Sequence, residues 1–94
     1  MESLQIKLIK QLFFILGKED KKTLLESSNL TDRESDILVT RFIRGLSAKE
    51  SAELLNLDID TYNKQYHRCM TKFYNWLNRL AELHGFDLIK LMEK

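Results

Sequence analysis

Two short segments restrict the fold more than anything else in the chain. Thr31-Asp32-Arg33-Glu34 and Ser47-Ala48-Lys49-Glu50 both carry a hydroxyl followed three residues later by a glutamate. In this capping box the hydroxyl accepts from a free amide of the first helical turn and the glutamate returns to the cap amide. The first box therefore predicts a helix running to about Arg44, with Ile37, Leu38, Phe42 and Ile43 near one face. Gly45 follows, able to take the left-handed conformation that ends a helix. The second box predicts a shorter helix carrying Ala52, Leu54 and Leu55 and ending near Asn56, the next-best residue for a left-handed turn. Asp58 is placed to cap a third helix. Two capped helices, a tight turn and a third capped helix make a helix-turn-helix outline.

The third helix reads as long. Tyr62, Tyr66, Cys69, Phe73, Trp76, Leu80 and Leu83 alternate at spacings of four and three, a heptad seam widened by Met70 and Leu77. His84 and Gly85 mark its end, and Asp87 is placed to cap a last short helix carrying Leu88, Leu91 and Met92. Upstream, Leu4, Leu8, Leu12 and Leu16 repeat every four residues with Ile6, Ile9 and Phe13 beside them. This predicts a first helix from about Leu4 to Leu16 that is apolar over more than half its circumference. Gly17 reads as its stop. Lys18 to Lys22 reads as a solvated loop or helix start, followed by a short helix over Thr23 to Ser27.

The chain has 94 residues, no proline and three glycines, with 44% hydrophobic and 31% charged residues. That fits one all-α domain and disfavours turn-rich β architectures. Within it, residues 1–29 read as an N-terminal helical extension, 30–77 as the helix-turn-helix core and 78–94 as a helical tail. One cysteine, Cys69, excludes an internal disulfide framework and a multi-cysteine metal site. His67 and Cys69 stand two apart on a helix, so their side chains diverge; Cys69 reads as core and His67 as surface. No phosphate-binding glycine loop, paired apolar carboxylates or serine elbow is present. The expectation is a non-enzyme without cofactor or metal. The longest apolar run is Leu12 to Leu16 and no basic segment precedes an apolar core at the start, so a cytoplasmic protein without a membrane span is expected.

The stretch Leu30-Thr31-Asp32-Arg33-Glu34, then Arg41-Phe42-Ile43-Arg44-Gly45-Leu46-Ser47-Ala48-Lys49-Glu50-Ser51-Ala52-Glu53-Leu54-Leu55, continues through Asp58 to Thr61 and His67 to Phe73. With both boxes, Gly45 and Ala52 at these spacings, residues 30–77 resemble the helix-turn-helix of bacterial sigma factor region four and the related LuxR-type response-regulator domain. Ser51 stands where those families carry a buried isoleucine, Asn56 where they carry a turn glycine, and Tyr62 where they carry a small β-branched residue. The resemblance implies a regulator resembling a stand-alone region four, its third helix (about 58–72) in the major groove of double-stranded DNA. Ile59, Asp60, Asn63, Lys64 and His67 would then face base edges, Asn63 suiting adenine and Lys64 guanine or phosphate. Ser47, Lys49, Arg68 and Lys72, with Thr31 and Arg33, would meet phosphates. Ile59 and Asp60 replace an arginine and a glutamate often found at the first reading positions in the sigma pattern.

Charge supports that placement. The net charge is only +1, but residues 59–80 hold four basic groups against Asp60, whereas residues 31–58 hold four basic against six acidic. An alternative of another class is a protein-interaction module that binds RNA polymerase or a sigma or antisigma partner with little DNA binding. A phage packaging or accessory protein is a third. The seam beyond Phe73 also has two readings: α-helical fold-back of the N-terminal segment, Leu8 and Leu12 against Trp76 and Leu80, or a homodimer through Leu8, Leu12, Trp76, Leu80 and Leu83.

Overall fold

A computed structural model describes residues 3–83 and Gly85. All regular structure among them is helical: α1 (Leu4–Ile15), α2 (Lys18–Ser27), α3 (Asp32–Phe42), α4 (Ala48–Leu54) and α5 (Ile59–Leu83). Both capping boxes form. The Thr31 and Ser47 hydroxyls accept from the Glu34 and Glu50 amides, and each glutamate accepts from its cap amide. Gly45 (φ 71°) and Asn56 (φ 61°) make the two left-handed turns that end α3 and α4. Asp58 accepts from the Thr61 amide at 2.8 Å and so opens α5, which runs 25 residues. Gly85 at φ 76° follows its end. His84 and the helix predicted from Asp87 lie outside the described residues.

The N-terminal third departs from expectation. Gly17 is not a left-handed stop: at φ −71° it is the extended N-cap of α2, which starts at Lys18. The segment Lys18 to Lys22 is therefore the start of a helix, the second of its two readings. Glu19 and Asp20 in its first turn complement the positive end of the helix dipole. Lys21 donates to the Phe42 carbonyl at 3.0 Å, capping the C-terminal end of α3.

The core is built on α5. Tyr62, Tyr66, Cys69, Met70, Phe73 and Tyr74 are its buried residues, the seam through Phe73 with Met70 and Tyr74 beside it. Helices α1, α3 and α4 all pack against it, and α2 packs on α3. The N-terminal helix does fold back: α1 packs on α5, with the Phe13 ring stacked on Phe42 at 4.5 Å and Phe73 at 5.4 Å as the contact. Phe42 continues to Tyr66 and Tyr66 to Tyr62. Aromatic contact thus joins α1, α3 and α5. On α4 the buried residues are Ser51 and Ala52, small side chains where helices meet. No helix among the described residues is long and apolar enough to cross a membrane.

Candidate nucleic-acid interface

Because Tyr62, Tyr66, Cys69, Phe73 and Tyr74 point into the core, the opposite side of α5 is turned outward. Asp60, Asn63, Lys64, His67, Arg68 and Thr71 are all exposed there. Five of the residues assigned from sequence to DNA contact, Asp60, Asn63, Lys64, His67 and Arg68, are therefore accessible together on the first half of one helix. Neither Lys64 nor Arg68 has an ion-pair partner among the described residues. Ile59, 43% exposed, stands at the start of the same helix.

The remaining assignments are placed differently. Lys72 is half-buried and its ammonium sits 2.8 Å from the Glu34 carboxylate, so its charge is locally neutralised by α3. Lys49 is exposed on α4 but lies beside Glu50 in a helix that also carries Glu53. The Ser47 oxygen is engaged by the Glu50 amide.

The helix N-termini also carry their own anions. Hydrogen bonds from Lys72, first, and from the Thr31 amide hold the Glu34 carboxyl below its ordinary value. The bonds from Ser47 do the same for Glu50, and those from Thr61 for Asp58. These caps are ionised at neutral pH, and they occupy the amides that would otherwise attract phosphate. Thr31 and Ser47 are caps first, and the cationic outward face of α5 is the remaining attraction for a polyanion.

Comparison of the chain with models of protein families, with characterised proteins and with solved structures found no match.

Two hollows flank the C-terminal half of α5. One is an open groove of about 510 Å³ bordered by Asn29, His67, Arg68, Asn75, Trp76 and Arg79. The other is an apolar groove of about 740 Å³ with Leu12 and Leu16 of α1, Leu24 of α2, and Trp76, Leu77 and Leu80 of α5 on its walls. Among residues assigned to a partner surface, Leu8 is corrected. It is buried in the protein's own core, because α1 folds onto α5, and it has no surface to offer a second chain. Leu12, Trp76 and Leu80 line the apolar groove, and Leu83 is 78% exposed. Phe14 and Ile15, not among the residues assigned from sequence, are 90% and 72% exposed at the end of α1; the all-round apolarity of that helix is their signal.

Cys69 is buried, and burial pushes its thiol up to about 11, which makes it an inert core group. No cluster of metal-ligating residues forms among the described residues.

Proposed function

We propose that this chain is a DNA-binding transcription regulator in which α4, the turn from Leu55 to Asp58 and α5 act as a helix-turn-helix. In this reading the first half of α5 enters the major groove, as the resemblance to sigma region four implies. The observation that carries it is the shared outward face of Asn63, Lys64, His67 and Arg68, presented by a helix whose other side is core. Asn63 suits the paired donor and acceptor of adenine, Lys64 a guanine edge or a phosphate, and Asp60 the cytosine amino group. With the caps anionic and Lys72 paired, few cations remain per chain. The expected affinity is modest and strongly salt-dependent.

Anisotropy of a labelled duplex at two salt concentrations tests this. Lys64→Glu should weaken binding to all sequences and lower the salt slope by about one or more, whereas Asn63→Ala should relax preference at one base position. Duplex binding that is absent at low salt, or indifferent to Lys64→Glu, would falsify it.

A second reading rests on an observation of its own. Leu54 and Ile59, 51% and 43% exposed, flank the turn that leads into α5, and Phe14 projects almost fully from α1. In a module that binds RNA polymerase or a sigma or antisigma partner, these would be apolar anchors. Retention of purified polymerase, lost in Ile59→Asp and unaffected by Lys64→Glu, would favour that reading over the first.

A further inference from the structure

We propose that the groove running along α5 from His67 to Arg79 is a binding site for one unpaired nucleotide unit; it shares His67 and Arg68 with the face that would read duplex DNA and extends beyond that face to Trp76 and Arg79. At about 1.5 Å per residue α5 is about 37 Å long, three times the width of a major groove. Its second half is therefore not needed for base reading. The groove there has the volume of a small-ligand site, within the usual range of about 300–1,000 Å³.

Its lining is selective. Arg68 and Arg79, eleven residues apart in sequence, stand along it with His67, and no carboxylate borders it. Lys72 also lines it but is neutralised by Glu34. The two arginines have no ion-pair partner among the described residues. Glu82, one turn beyond Arg79, is outside the lining and accepts a hydrogen bond from Asn78 at 3.3 Å. A guanidinium offers phosphate two parallel donors.

Solvated arginines alone would be unremarkable on a helix surface. Here they border a concave site that also holds a half-buried indole. Trp76 rests on Phe73 at 5.7 Å, tilted by 36°, so the core fixes its plane. Indole faces stack on any base. The side-chain amides of Asn29, from the α2–α3 connection, and Asn75 supply paired donors and acceptors for a base edge. Phosphate, base plane and base edge thus each find a group of matching chemistry. The unit is either part of a single strand or a free nucleotide; both present the same phosphate and base.

Trp76 is the sole tryptophan and borders both hollows, so its fluorescence reports ligand there and the Arg79→Glu change assigns the signal to this groove. Adenosine monophosphate and a short thymidylate oligonucleotide are titrated separately into the full chain, with adenosine and inorganic phosphate as partial ligands. The expected result is saturable quenching by at least one of the two nucleotide probes, with each partial ligand about tenfold weaker or more. Binding of the oligonucleotide alone assigns the site to a strand, and binding of the mononucleotide alone to a free nucleotide. Arg79→Glu, an exposed change whose folding is checked by circular dichroism, should weaken the effect about tenfold while leaving duplex binding through Lys64 intact. Absence of saturable quenching by both probes, inorganic phosphate binding as well as the nucleotide, or an unaltered Arg79→Glu protein each overturns the proposal. Duplex binding lost with quenching retained would remove the regulator reading and leave this site standing.

Discussion

Glu34 accepts from the Thr31 amide at 2.9 Å and from the Lys72 ammonium at 2.8 Å, tying the start of α3 to the middle of α5. Its carboxyl is held below the ordinary 4.5, as is that of Glu50, and Asp58 is held below 3.8. A carboxyl lowered by folding stabilises the fold fully above its unfolded value and loses that contribution as pH falls through the folded one. The melting temperature should therefore hold through neutral pH and drop below about pH 4.5, the value from which Glu34 starts. Glu34→Gln should lower it at pH 7 and flatten the acid limb. A Glu34→Gln curve parallel to the parent's would contradict the assignment. Thr31→Ala, which removes one cap, should cost about 1 kcal/mol in a denaturant titration. The opposite sign is expected at Tyr62, whose hydroxyl is buried without a hydrogen-bond partner, like the Ser51 hydroxyl. Tyr62→Phe keeps the ring and deletes an unsatisfied polar atom, so the protein should gain about 1 kcal/mol. The capping boxes were legible because every partner lies within three residues; the Lys72–Glu34 pair spans 38 residues and no local pattern encodes it.

Two glycines that look alike in sequence do opposite work between elements. Gly45 reverses the chain after α3 at φ 71°, where a side chain is strained whatever the space around it. Gly17 sits at φ −71° with nothing within 4 Å of where a Cβ would be. Gly45→Ala should thus cost about 1 kcal/mol. Gly17→Ser, which supplies the hydroxyl that the α2 N-cap lacks, should add a few tenths of a kcal/mol. Equal effects of the two changes in thermal melts would refute this difference. Gly17 also explains why α2 was read short. A cap without a side chain leaves no signature, and five consecutive charged residues resemble solvated loop until Lys21 is seen on the Phe42 carbonyl. Helix α5 was legible at nearly full length because its seam repeats without interruption to Leu83. Its heptad spacing does not tell which partner covers each turn: α1, α3 and α4 all pack on it and α1 reaches Phe73, while Leu80 and Leu83 remain 38% and 78% exposed.

For the whole molecule, α1 is part of the interior and belongs to the same packed unit as residues 30–77. Phe13 is 1% exposed and its ring lies against both Phe42 and Phe73, so residues 30–77 do not close their own core. Ile6, Leu8 and Ile9 bury alongside it. A domain this short buries only about 60–65% of its unfolded surface, which leaves little margin for losing one helix. Phe13→Ala removes the ring that joins three helices and should cost about 3–5 kcal/mol. Against a typical total of about 5–15 kcal/mol, that removes from about a fifth to all of the stability and lowers the urea midpoint in proportion. Phe14→Ala, one residue on and 90% exposed, should leave the stability within about 0.5 kcal/mol of the parent. The pair separates two roles within one helix. Where Phe13 is structural, Phe14 and Ile15 add nothing to the fold, and substitution there tests partner binding without disturbing the face of α5. Were Phe13→Ala and Phe14→Ala to unfold at the same urea concentration, α1 would be an appendage after all, and the outward orientation of Asn63, Lys64 and Arg68 would no longer depend on it.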